Sequence, residues 1–121
     1  MRHKELIAQL ISIGLTDHEA SVYLAGLKTG PSLLAPLARA AEISRSTTYE
    51  IVETLAKRGL FLLSTSQKRT IYSAVAPTQL LKEILEREYR IRAIIPELEQ
   101  LIQNSPDLSS TNSVNLPLNM K

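Results

Sequence analysis

The chain has 121 residues, enough for one compact domain with an extra helix and a tail. Apolar residues make up 44% but aromatics only 4%, so the core must be mostly Leu, Ile, Val and Ala, which favours helices over a sandwich of strands. With no cysteine, disulfides and zinc–thiolate sites are excluded, and a formal charge of +2 imposes no particular partner.

The first helix is expected from Glu5 to Ile13, with Leu6, Leu10 and Ile13 on one face, Ile7 and Ile11 beside them, and Gly14 closing it. Thr16-x-x-Glu19 is a capping-box pattern, and Ala20, Tyr23, Leu24 and Leu27 then recur at helical spacing up to the stop at Gly30-Pro31. A third, short helix starts near Leu34, because Pro36 is tolerated in a first turn whose N–H groups lack intrahelical partners. It buries Leu37, Ala38 and Ala41. After a tight turn over "AEIS", Ser44 caps a fourth helix from Arg45 to Arg58 that ends at Gly59 and buries Thr48, Ile51, Val52 and Leu55.

Beyond Gly59, "LFLLS" and "TIYSAV" read as two strands joined by a polar loop, "TSQKR". Pro77 ends the hairpin and Thr78 caps a long helix. Its seam of Leu81, Ile84, Glu88, Ile91, Ile95, Leu98 and Ile102 alternates by three and four, as a coiled coil requires, with Glu88 the polar exception. Pro96 is expected to kink or restart this helix. From Asn104 the chain loses periodicity and turns to Ser, Asn and Pro, which predicts a disordered tail.

The order of elements is mainly α with a small β-hairpin: a helix-turn-helix, then a wing, then a long coiled-coil helix. The predicted divisions are a winged helix-turn-helix over 1–76, a dimerisation helix over 77–103 and a tail over 104–121. Residues 1–76 carry nine basic and six acidic residues, a mildly basic balance that permits nucleic-acid binding. In helix-turn-helix proteins the front of the second helix enters the major groove. Here that front reads "SRSTTYE". With Thr48 facing inward, Arg45, Ser46, Thr47 and Tyr49 are left as the outward set.

Arginine can pair with guanine O6 and N7, Ser and Thr can bond bases or phosphates, and a helix N-terminus favours phosphate. Lys68 and Arg69 sit at the hairpin tip, in reach of backbone phosphate. Glu50 and Glu53 oppose this reading, since they share the outward face. Tyr49 serves packing or backbone contact equally well, and Lys57 and Arg58 are explained by the negative C-terminal end of their helix.

Catalytic signatures are absent: "GLKTG" lacks phosphate-loop spacing, and no nucleophile stands beside a base in a recognisable motif. His3 and His18 read as surface residues without metal-ligand spacing, so neither a metal nor a cofactor is expected. The basic N-terminus is interrupted by Glu5 and Gln9, and no stretch approaches the ~20 apolar residues that span a bilayer. The expected setting is therefore cytoplasmic, with no membrane contact.

The segments "GLTDHEASVYLAGLKTGP" and "ISRSTTYEIVETLAKRGL", with Leu37-Ala38 between them, resemble the DNA-binding domain of TrmB-like transcriptional regulators. The likeness extends from Lys4 to Leu101 and takes in the hairpin and the helix after "AVAPTQLL". It implies a DNA-contacting helix start at Arg45, Ser46, Thr47 and Tyr49, and a 78–102 helix that pairs two chains. Pro36 departs from the polar or acidic residue common in that family. Larger members carry a C-terminal sugar-binding domain that this sequence stops short of, so it is either a one-domain regulator or part of a longer product; no sugar specificity carries over, and a small-molecule effector is left open. The expected function is a homodimeric regulator that binds specific double-stranded DNA. The rival from another class is a winged helix that serves only as a protein–protein module.

Overall fold

A computed structural model describes residues 2–103 of the chain. The tail expected over 104–121 lies outside the described residues. Five helices and one hairpin occur in the order α1 (Arg2–Ser12), α2 (Asp17–Thr29), α3 (Leu34–Ala41), α4 (Arg45–Lys57), β1 (Phe61–Ser66), β2 (Arg69–Ala74) and α5 (Thr78–Gln103). The mainly helical class with one wing is as expected. The described residues fall into two compact units that divide between Ile84 and Leu85.

In the first unit, α2 is the central helix and packs on α1, α3, α4 and β2. Its start is locked by a reciprocal capping box: the Glu19 N–H donates to Thr16 Oγ1 at 3.1 Å, and the Thr16 N–H donates to the Glu19 carboxylate at 2.9 Å. Ala20, Val22, Tyr23, Leu24, Ala25 and Gly26 are all buried, because neighbours cover the helix on several sides. Leu27, expected on the buried stripe, is 39% exposed.

The first helix also differs from expectation. It begins at Arg2 and ends at Ser12, and it buries only Leu10, with Ile7 half-buried. Leu6, Ile11 and Ile13 stay exposed, because α1 rests chiefly on α2 and offers it a narrow edge. Gly14 takes a left-handed φ of 115°, which lets the Leu15 N–H turn back to the Leu10 carbonyl at 3.1 Å.

The short helix α3 carries Pro36 in its first turn, as expected, and buries Leu37 and Ala38, whereas Ala41 is half-buried. Glu42 ends it in the left-handed region at φ 60°, ψ 43°, donating its N–H toward the Ala38 and Arg39 carbonyls. Ile43 and Ser44 complete a three-residue turn to α4. Ser44 Oγ accepts the Thr47 N–H at 3.2 Å and so caps α4. That helix closes one residue earlier than predicted, with Arg58 as its C-cap.

The wing is longer and tighter than its sequence suggested. The strands run to Ser66 and Arg69, which pair with each other, so the turn is only Gln67 and Lys68. Both have positive φ, 52° and 67°, as a primed two-residue hairpin turn demands. A further strand position was not anticipated. Ser32, before α3, exchanges two backbone bonds with Tyr72 (2.8 and 3.0 Å) on the side of β2 away from β1.

The wing is seated on α2 at Gly26. A Cβ there would lie 2.6 Å from Phe61 Cζ and 2.9 Å from Ala74 Cβ, so only glycine allows this approach. Beside it, the Tyr23 hydroxyl donates to the buried Val75 carbonyl at 2.9 Å, and its ring meets Phe61 edge-on at 6.5 Å. Burial pushes the Tyr23 phenol above its ordinary value of 10.0.

Helix α5 runs unbroken through Pro96, so the predicted restart does not occur. The proline removes one N–H donor, and the ladder continues on either side of it. At its start, Leu80 packs against the core and Glu83 is buried.

Candidate nucleic-acid interface

The first turn of α4 divides the hydroxyl run by role. Ser44 is spent on the cap, and Thr48 is fully buried with no hydrogen-bond partner for Oγ1 among the described residues. Arg45 and Ser46 are exposed, Thr47 is half-buried, and Tyr49 is 44% exposed. Thr48, Val52 and Leu55 sit in the core, which fixes the rotation of α4 and hence the face that carries Arg45.

Arg45 and Tyr49 do not stand on a flat helix surface. Together with Leu34 of α3 and Arg69, Thr70 and Tyr72 of β2, they line a cleft of about 400 Å³. Two arginines 24 residues apart in sequence thus share one concavity, because the Ser32–Tyr72 bridge draws the wing against the start of α3. Lys68 is exposed at the tip of the turn, and Ser46 and Thr47 lie on α4 outside this cleft. Lys68 and Arg69 also differ in kind: the former is a turn residue, the latter the first residue of β2.

The two glutamates on the outward face of α4 are not equivalent. Tyr49 hydrogen-bonds to the Glu53 side chain, and that bond, the negative charge of Glu53 and slight desolvation raise the Tyr49 phenol above its ordinary range. Glu50 is exposed, and its backbone carbonyl accepts the Thr54 hydroxyl at 3.2 Å.

A feature that sequence reasoning missed supports α4 from its other end. The Arg58 guanidinium donates to Glu19 Oε1 at 3.2 Å and to both oxygens of Glu83 at 3.1 and 3.3 Å. Complementing the negative end of its helix was as good an expectation for Arg58 as contact with DNA. Instead it joins the capping-box glutamate of α2 to the first turns of α5. The partners lie 39 and 25 residues away, a pairing for which the sequence carries no local signal. Elsewhere, Lys28 Nζ lies 3.0 Å from Nδ1 of His3. Among the described residues no group of His, Asp or Glu could hold a metal ion, and no helix is long and apolar enough to cross a membrane.

In the second unit, Ile91, Ile95 and Leu98 of the expected seam are exposed to between 38% and 53%, and the unforeseen Ile94 and Leu101 are exposed to 44% and 66%. Within the first unit, Leu81 is exposed and Ile84 half-buried, whereas Glu88 and Ile102 of the second are exposed and half-buried respectively.

The profile of the family described as "Sugar-specific transcriptional regulator TrmB" matches residues 10–78, more than half of the chain. The chain belongs to the TrmB family. A curated relative, the HTH-type sugar sensing transcriptional regulator TrmBL1 of Pyrococcus furiosus, is 30% identical over 86 residues, which cover 71% of this chain and 25% of TrmBL1. Among solved structures, TrmBL2, described as an archaeal chromatin protein with a novel mode of DNA binding, superposes with a TM-score of 0.71 at 20% identity. That match covers 94% of this chain and 45% of the TrmBL2 chain. A probable transcriptional regulator from Pseudomonas aeruginosa matches with a TM-score of 0.52 at 27% identity over 88% of both chains.

This TrmB-family chain thus spans a quarter of TrmBL1 and under half of the TrmBL2 chain. The matched residues 10–78 contain α2, α3, α4 and both strands, so the helix-turn-helix and the wing lie inside the family's defining segment. The family is described as one of transcriptional regulators.

Proposed function

We propose that this TrmB-family chain is a homodimeric regulator that binds specific sites on double-stranded DNA in the cytoplasm. In this reading α4 enters the major groove, with Arg45, Ser46 and Thr47 toward base edges and phosphate, and Tyr49 toward the backbone. Lys68 and Arg69 anchor the wing to the adjoining phosphates. The observation that carries it is the cleft in which Arg45, Tyr49 and Arg69 converge between helix and wing. A phosphate there meets two guanidiniums, each able to donate in fork geometry. The second chain is supplied by the exposed apolar face of α5, whose Ile91, Ile95 and Leu98 are otherwise left in water.

Fluorescence anisotropy on duplex pools at several salt concentrations tests this. The affinity of a dimer using three cations per subunit should fall with salt, and the Arg45→Ala, Lys68→Ala, Arg69→Ala variant should flatten the log–log slope by about 5. Selection from a random pool should enrich a two-fold symmetric site with half-sites ~34 Å, or a multiple of it, apart. Retained salt-dependent binding by the triple variant refutes the site assignment. If no pool binds at all, the protein–protein module replaces the regulator.

A further inference from the structure

The segment of α5 after Ile84 exposes Leu85, Ile91, Ile94, Ile95, Leu98 and Leu101 to water. Arg87, Arg90, Ile91 and Ile94 line a groove of about 320 Å³ along it, a seat for an apolar side chain from outside. At 3.6 residues per turn, Ile91, Ile94, Ile95, Leu98, Leu101 and Ile102 fall in one stripe roughly 120° wide. One border of the stripe carries Glu88, Arg92 and Glu99; the other carries Arg90 and Glu97. Pro96 falls on the opposite face, where its ring does not obstruct a partner.

The charges on these borders distinguish the two ways in which a second copy can lie on the stripe. In a parallel, in-register pair, opposite borders meet at equal height. Arg92 and Glu99 then stand beside the partner's Arg90 and Glu97, two like-charge contacts that each occur twice, and only Glu88 meets an opposite charge, on that same Arg90. In an antiparallel pair, like borders meet with their direction reversed. Arg92 then stands opposite the partner's Glu99 and Arg90 opposite the partner's Glu97, each contact occurring twice by symmetry. Glu88 moves to the edge of the overlap, where Arg92 already holds it within the chain at 2.9 and 3.1 Å. Guanidinium has five N–H donors, so this bond leaves others for a carboxylate across the interface.

We infer that α5 pairs with α5 of a second copy in the antiparallel direction, crossing near Ile95, with Ile91 packed toward the partner's Leu98. The inference rests on the homodimer reading above and adds its direction and partner contacts. Charge on the flanks of such a seam sets orientation more than affinity.

The full 121-residue chain has no cysteine, so Glu86→Cys and Gln100→Cys each place one spin label per subunit on the outer face of α5. From the 1.5 Å rise per residue, antiparallel pairing separates the two 86 positions by about 27 Å along the axis and the two 100 positions by about 15 Å. Parallel pairing gives equal distances at both sites. Dimer affinity supplies the second measurement. Arg92→Glu should weaken dimerisation about tenfold, and adding Glu99→Arg should restore it, since both contacts recur by symmetry. Equal label distances, or tighter dimerisation by Arg92→Glu, overturn the antiparallel pair and leave the homodimer standing. A wild-type chain that stays monomeric in light scattering removes the homodimer reading itself.

Discussion

Arg58 offers the sharpest test of how α4 is held. Its guanidinium makes three bonds to Glu19 and Glu83, at 3.1 to 3.3 Å, and the two acids are only 9% and 8% exposed. Arg58→Met keeps much of the side-chain volume but removes three charge-assisted hydrogen bonds from two buried carboxylates. Breaking a buried ion network from one side costs about 3–5 kcal/mol, a large share of the ~5–15 kcal/mol that holds a domain together. At ~4–8 °C per kcal/mol for a unit of this size, the melting temperature should fall by at least about 12 °C. Circular dichroism during thermal and urea unfolding measures both quantities. The combined Glu19→Gln, Arg58→Met, Glu83→Gln variant should recover much of the loss, because the lost ion pairing and not the lost volume is the main cost. If Arg58→Met alone costs under about 1 kcal/mol, the network behaves as a surface ion pair and the reasoning fails.

Tyr23→Phe removes the hydroxyl from a buried Val75 carbonyl and should cost about 1–3 kcal/mol in urea unfolding. Because burial raises the Tyr23 phenol above 10.0, its contribution is complete below that pH and is lost as pH rises through the higher folded-state value. Wild type should therefore lose more stability than Tyr23→Phe across alkaline pH; identical profiles would show that Tyr23 is not the group responsible. Thr48→Val replaces a buried hydroxyl lacking a partner by a methyl of the same shape, and should stabilise the fold by about 1 kcal/mol without changing duplex binding. Lys68→Gly relieves a positive φ of 67°, a strain of about 1 kcal/mol for a residue with a Cβ, and also removes the charge at the wing tip. Its melting temperature should rise while its duplex affinity falls, and a fall in both excludes the turn strain.

Local signals carried the fold as far as they reached. Thr16-x-x-Glu19 and Ser44 announce helix starts because a cap is made within four residues, and both caps form as read. Gly14 and Gly59 announce the ends for the same reason. The Gln67-Lys68 turn was hidden because neither residue is the Gly or Asn that a positive φ favours, so a longer polar loop was the natural expectation. The Ser32–Tyr72 bridge and the Arg58 network join residues 25 to 40 positions apart, and pairing at that range depends on packing that no short pattern records. Leu6, Ile11 and Ile13 look like core in a helical wheel. They are exposed because periodicity tells which face is apolar, not whether a neighbour within the chain covers it.

The same distinction bears on the outward face of α4. A wheel groups Glu50 and Glu53 as two charges set against a polyanion, and the sum of charges on that face leaves little net attraction. The structure separates them: the charge of Glu53 acts on the Tyr49 phenol, whereas Arg45 and Arg69 both line the cleft. A phosphate is drawn by the local field of a concavity more than by the charge of a whole surface, because low-dielectric walls focus that field. A protein with a formal charge of only +2 can therefore bind a duplex through a few well-placed cations. On this reasoning Glu53→Gln should change duplex affinity through Tyr49, and combining it with Tyr49→Phe should give less than the sum of the two effects. Additive effects in a double-mutant cycle by anisotropy would mean that Glu53 acts on the DNA directly, as an unshielded charge.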